Sequence, residues 1–266
     1  MFKHLKEEKI RGASWYLEEI LKIIAERGAS EEVLEEARRI RPGMASIDVA
    51  ILTIEAAGRK GLDLREVARR LALYVREAQT KLDDVISSFG IECPATMITV
   101  SYSRAVSRFI QIKAGCIRRL YILESRPGEE AREALKDYRR HVEVVPLPDS
   151  AMGSVEFDYA VVGLDGYYGD GYAFNKVGTL PLLATARELG ARSVAVFESY
   201  KMAPVKSPEP YIIEEEVLGE RVRLRLFDKF RVGLLDFVVT DIGVFGRPSG
   251  SLAETGWRRL ASALGL

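Results

Sequence analysis

The chain has 266 residues, of which 47% are hydrophobic and 29% charged, and its 39 Lys and Arg balance 39 Asp and Glu. That size and balance suit one large domain, or two smaller units, with a substantial core, and they exclude a chain disordered in bulk. Zero net charge gives no basic excess for a general nucleic-acid surface or an anionic membrane, although a local basic patch remains compatible with it, and no apolar run approaches the roughly 18 residues of a membrane span.

Residues 1–11 are charged and lack an apolar core, so no secretion signal is expected and the location is read as cytoplasmic. Residues 9–26 then place Ile10, Ala13, Leu17, Ile20, Leu21 and Ile24 on one helical face. Gly28 closes that helix. Ser30 caps the next, with Glu31 and Glu32 in its positive first turn. Arg41-Pro42-Gly43 breaks the chain, and a helix over 46–57 closes at Gly58. Asp63 and Glu66 resemble a capping box that opens a long helix to about residue 88.

After Gly90 and Pro94 the pattern changes. Short β-branched runs occur at 97–102, 120–124, 142–147, 159–163, 194–198 and 237–240, with helical stretches at 104–114, 129–140 and 180–189. This alternation predicts an α/β fold: a helical N-terminal region over 1–94, then a Rossmann-like parallel sheet over 95–266 with helices on both faces. Residues 201–222 read as a loop or a short excursion from the sheet.

Cys93 and Cys116 fit no metal or redox motif, so no metal and no cofactor are expected. Two buried or half-buried thiols are the simpler reading. Asn occurs once and Gln twice against abundant Glu, Lys and Arg, which fits a protein of a thermophile. In such a background a disulfide between the two cysteines is also compatible with life inside a cell.

Ligands of open α/β sheets bind at the carboxyl ends of the strands, which directs attention to two segments. In Thr99-Val100-Ser101-Tyr102-Ser103-Arg104 a strand gives way to a helix that Ser103 can cap, and Ser101, Ser103 and Arg104 would suit an anion. The Gly-rich stretch 163–179 carries Asn175, with donors and acceptors, and Lys176, a charge for a phosphate, before a helix that Thr179 can cap. Near the chain start, Arg11, Gly12 and Ala13 could present a guanidinium and bare N–H groups, a weaker signal.

Taken together, these segments resemble a family comprising the alpha, beta and delta subunits of translation initiation factor 2B, ribose-1,5-bisphosphate isomerase and methylthioribose-1-phosphate isomerase. The resemblance rests on Arg11-Gly12-Ala13, Arg41-Pro42, Thr99 to Ser103, Glu124-Ser125-Arg126-Pro127, Gly163-Leu164-Asp165, Asn175-Lys176-Val177-Gly178-Thr179, Phe227-Asp228 and Thr240-Asp241-Ile242-Gly243-Val244. Ser101-Tyr102-Ser103-Arg104 and Glu198-Ser199-Tyr200-Lys201 are most similar to the alpha subunit.

The resemblance implies a sugar phosphate or nucleoside phosphate held by Arg11, Gly12, Ala13, Arg41, Asn175 and Lys176. It also implies a homodimer and contact with translation initiation factor 2, while the zero net charge argues for no membrane and no direct nucleic-acid binding. The isomerases use a Cys where this chain has Ser101, and an Asp where it has Tyr172. A serine without a neighbouring His is a poor base, and a tyrosine with pKa about 10 stays protonated near neutrality. Loss of isomerase chemistry is therefore expected. The alternative is an active isomerase with rearranged residues drawn from Asp165, Asp170 or Tyr172.

Overall fold

The computed structural model describes Phe2, His4, Leu5 and residues 12–266. Four helices open it: α1 (Ala13–Arg27), α2 (Glu31–Arg38), α3 (Ala45–Arg59) and α4 (Leu64–Ser88). Ser30 Oγ caps α2 by accepting from Val33 N at 3.3 Å, and Asp63 caps α4 by accepting from Arg65 N at 2.9 Å. Gly58 does not end α3, which runs one residue further to Arg59. The long α4 buries Val67, Leu71, Val75, Ala78, Leu82 and Ile86, a stripe at spacings of three and four.

The main sheet has seven strands: β1 (Ala95–Thr99), β2 (Ile117–Leu123), β3 (Val144–Leu147), β4 (Tyr159–Val162), β7 (Arg192–Val196), β12 (Phe237–Thr240) and β13 (Gly243–Gly246). Their order is β13-β12-β7-β4-β1-β2-β3. The six strands expected from the sequence are all present and mutually parallel. The sheet is nonetheless mixed, because β13 returns antiparallel beside β12. Reading outward from β1, the chain goes one way to β2 and β3 and the other way to β4, β7 and β12. This is the doubly wound order, with its switch point between β1 and β4.

Both faces of the sheet are covered. On one lie α4, α5 (Arg104–Lys113) and α6 (Glu130–Tyr138), through Ile86, Phe109, Ile110 and Tyr138. On the other lie α7 (Thr179–Glu188) and α8 (Ser251–Leu264), through Leu182, Leu183, Leu252 and Ala253. β1 and β4 are buried at every position, as strands covered on both faces must be. The N-terminal helices share their core with Leu260 and Leu264 of α8 and with Tyr168, Phe174 and Tyr200.

Two further β-structures lie beyond the main sheet. The first begins in the Gly-rich stretch 163–179. It forms β5 (Gly166–Tyr168) and β6 (Tyr172–Lys176), which join β8 (Met202–Ala203) and β11 (Phe227–Arg231) in a second sheet ordered β11-β6-β5-β8. The glycines alternate with aromatic residues that need burial, and Tyr167, Tyr168 and Phe174 are each fully buried. Of the two readings of 201–222, the short excursion from the sheet is the one observed. β9 (Ile212–Val217) and β10 (Glu220–Arg225) form an antiparallel hairpin whose register sets Glu214 opposite Arg223 and Glu216 opposite Arg221. Its two-residue turn, Leu218-Gly219, has φ of 54° and 86°, the left-handed pair that hairpin turns require.

Cys93 and Cys116 are joined in a disulfide with Cα atoms 4.9 Å apart. The reading as two buried or half-buried thiols is corrected: the sulfurs are paired, and of the two residues Cys116 is half-buried while Cys93 is exposed. Their positions explain the pairing, since they precede adjacent strands β1 and β2 at the same end of the sheet.

Candidate functional site

The carboxyl ends of β1 and β4 open into a cleft of about 510 Å³ at the switch point. Ser101, Ser103 and Arg104 follow β1, Gly163 to Asp165 follow β4, and Glu198 and Lys201 follow β7. Glu130 comes from α6, Asn175 from β6, and Gly12 to Ser14 from the start of α1. Gly163 is a close-approach position, because a Cβ there would lie 2.6 Å from Ser103 Oγ.

Two strained serines shape the floor. Ser101 and Ser125 end neighbouring strands with φ of 66° and 64°. Such conformations cost about 1–3 kcal/mol outside glycine and persist only where surroundings fix them. Here Ser101 N donates to Ser125 Oγ at 2.7 Å, and Asp149 accepts from Ser125 N and Arg126 N at 2.8 Å each. The result aims Ser101 Oγ at Glu130, to which it donates at 3.1 Å.

Most cleft cations have resident counter-ions. Lys176 Nζ is 2.9 Å from Glu130 Oε1 and also donates to the Pro127 carbonyl. Lys201 Nζ is 2.8 Å from Glu198 Oε2, deep in the cleft. Lys136 pairs with Glu133 at 2.8 Å and Arg140 with Asp137 at 3.8 Å. Among the described residues, Arg104 makes no ion pair within the cleft. It is exposed as the first residue of α5, beside its cap Ser103, whose Oγ accepts from Val106 N. The start of α1 also borders the cleft, and its N-cap is Gly12, which supplies no capping side chain. Two helix N-termini therefore meet one exposed guanidinium.

The carboxyls respond to these charges. Burial raises Asp165 to about 6, against the pull of Lys201 and Lys176 and with help from Glu130. Burial also opposes ionisation of Glu198, but the Lys201 ammonium outweighs it, with Arg104 adding, and Glu198 stays below the usual carboxylate range.

The sequence-predicted residues divide. Gly12, Ala13, Ser101, Ser103, Arg104 and Asn175 border the cleft together. Lys176 reaches its edge through Glu130. Arg11 lies outside the described residues. Arg41 does not border the cleft: it is buried, its Nε donates to Tyr16 Oη at 3.1 Å, and its guanidinium lies over Tyr211 at 4.9 Å. Tyr172 lies outside the cleft lining, against Arg231 at 4.4 Å and Lys229 at 4.9 Å. Thr179 is not the cap of α7. Its Oγ1 accepts from Asn175 Nδ2 at 2.9 Å and so orients that amide, while Asp228 takes the free N–H groups of Gly178 and Leu180 at 2.9 and 2.8 Å.

Sequence reasoning missed Glu130 and the Glu198–Lys201 pair as site residues. Glu198 and Lys201 carried a signal, an acid and a base three apart at a strand end. Glu130 carried none, since it is one acid in a charged run.

The model of the initiation factor 2 subunit family matches residues 13–245. The chain belongs to this family. It is 27% identical to a translation initiation factor eIF-2B subunit 2-like protein of Pyrococcus furiosus, over 93% of this chain and 96% of that one. The crystal structure of the Pyrococcus horikoshii translation initiation factor eIF-2B superposes with a TM-score of 0.80 at 26% identity, covering 93% of this chain and 96% of that chain. The fold is also that of 5-methylthioribose 1-phosphate isomerase from Pyrococcus horikoshii, with a TM-score of 0.66 at 19% identity over 98% of this chain and 86% of that one. An initiation-factor family and a sugar-phosphate isomerase thus share this architecture.

Proposed function

We propose that this initiation factor 2B-like protein binds a sugar phosphate or nucleoside phosphate in the cleft without isomerising it. The observation that carries this reading is the meeting of exposed Arg104 with the N-termini of α1 and α5. Guanidinium and helix N-terminus both favour a phosphate, and their effects add at one place. Asn175, held by Thr179, offers a hydrogen-bonding amide to the sugar hydroxyls. Ser101 stands where the isomerases have a thiol, and the Glu130 carboxylate to which it donates is already held by the Lys176 ammonium, which weakens it as a base. Tyr172, at the position of the isomerase Asp, lies on another surface.

Calorimetric titration with ribose-1,5-bisphosphate and with adenosine monophosphate tests the reading and separates the two ligand classes. Saturable binding that falls about tenfold or more in Arg104→Ala supports it, since a charge-assisted phosphate contact contributes roughly 1.5–3 kcal/mol. Unchanged affinity in that variant would place the phosphate elsewhere.

One observation favours the second reading, an active isomerase. Asp165 lies in the cleft with its carboxyl raised to about 6, close to the pKa that serves acid–base catalysis near neutrality. Product formation that disappears in Asp165→Asn would establish it. On either reading, the family relationship supports a homodimer and contact with initiation factor 2, working in the cytoplasm. Obligate interfaces commonly bury more than about 2,000 Å². A monomer by light scattering at micromolar concentration would remove the dimer from this account.

A further inference from the structure

A second concave surface shares no lining residue with the cleft. It runs along the outside of α7 and across the amino ends of β7 and β12, in three hollows of about 510, 540 and 430 Å³. The first two share Arg187, Gly233 and Leu234, and the last two share Arg192, Asp236 and Arg247, so the surface is one groove. Four arginines (187, 192, 231 and 247) and Lys229 line it, and all four arginines are exposed. Asp236 is the one carboxylate lining it among the described residues, and it is committed inward, accepting from Ser193 N at 2.8 Å and Ser193 Oγ at 2.9 Å. Arg192 has one outer partner, Glu92, at 3.6 Å and itself exposed, a pair of little strength in water. Arg247 is displayed from a left-handed turn at φ 49°, fixed by its N–H donating to Asp236 O at 2.9 Å.

A balanced chain has therefore gathered five cations with almost no opposing charge along a groove separate from its ligand cleft. We propose that this groove binds a single-stranded nucleic acid through its phosphodiester backbone. Arginine forks match phosphate oxygens in pairs, and a linked run of hollows suits an extended polyanion better than a compact one. At one end Arg231 and Lys229 lie over the half-buried Tyr172 ring, which holds both cations at the groove. Acidic peptides are read mainly through apolar pockets or open strand edges together with charge, whereas here Phe230 and Leu235 of the apolar lining are buried and the arginines are exposed. The inference departs from the expectation drawn from zero net charge, because that sum hides how unevenly the charges are placed.

The test is fluorescence anisotropy of a labelled single-stranded RNA of roughly 16 nucleotides with the full chain, titrated at low and rising salt. Four arginine–phosphate contacts predict a log–log salt slope of about −3, and a Kd between about 1 and 100 μM. Combined reversal of Arg187, Arg192, Arg231 and Arg247 to Glu should weaken binding at least tenfold. Arg231→Glu alone should reduce the slope by about 0.7, which keeps the test open if the fourfold variant does not fold. Arg69→Glu, on the exposed side of α4, should change neither. No binding at low salt, an equal loss in Arg69→Glu, or displacement by a polyglutamate peptide as effective as unlabelled RNA would each overturn the proposal.

Discussion

Tyr168 donates its hydroxyl to Asp48 Oδ2 at 2.8 Å, between the second sheet and α3. Burial raises the Asp48 carboxyl to about 6, against that hydrogen bond and the charge of Arg38. The folded chain therefore keeps a proton that the unfolded chain loses near pH 4. The associated stability is complete below about pH 4 and is lost as pH rises towards about 6. Asp48→Asn should flatten that decline by about 1–2 kcal/mol in urea melts across the window. Asp165 titrates in the same window, so Asp165→Asn belongs in the same series, and an unchanged profile in both variants would remove the assignment.

Glu130 gives a prediction of opposite sign to most binding-site variants. Its carboxylate neutralises Lys176 and accepts from Ser101. Glu130→Gln should free the ammonium for phosphate and tighten ligand binding by roughly threefold to tenfold, while Lys176→Ala weakens it. Weaker binding in Glu130→Gln would show that Glu130 holds the ligand itself. Some residues of the cleft were legible in the sequence for a physical reason. Ser103, Arg104 and Asn175 sit where a strand must end, a position that hydropathy marks. Glu130 becomes a neighbour of the site only through the packing of α6, which no local pattern encodes.

Among elements, α7 depends on a residue distant in sequence. Asp228, on β11, takes the N–H groups that Gly178 and Leu180 leave free. Asp228→Ala should cost about 1–2 kcal/mol, read as a lowered urea midpoint, whereas Thr179→Ser, which keeps the hydroxyl, should cost less. Equal losses would contradict the assignment of the cap. The parallel strands were legible as continuous apolar runs, because strands buried on both faces have no polar alternation. The second sheet was not, since its glycines read as a loop while the aromatic residues between them decide the burial. In the β9–β10 hairpin only β10 carried a recognisable alternation, Arg221-Val222-Arg223-Leu224-Arg225, whereas β9 reads Ile-Ile-Glu-Glu-Glu-Val. The unusual Leu218-Gly219 turn gave a weaker signal than the Asn-Gly pairs that mark such turns.

At the scale of the molecule, the disulfide ties the entry of β1 to the entry of β2 across a sequence separation of 23 residues. Closing a loop of that length should contribute about 3 kcal/mol, so Cys93→Ser with Cys116→Ser should lower the melting temperature, and reductant should do the same to the native chain alone. A melting temperature insensitive to both would show that the bond adds nothing to stability.

The ligand cleft and the arginine groove share no lining residue, so binding at each can be measured separately. The central claim is that the cleft retains ligand recognition without the isomerase's proton transfer. A ³¹P NMR time course of ribose-1,5-bisphosphate with the purified chain tests both halves in one sample. The expected result is phosphate resonances that shift or broaden saturably with protein and show no ketose product over many hours. Steady accumulation of the ketose bisphosphate, lost in Asp165→Asn, would contradict the claim, as would resonances that the protein never perturbs.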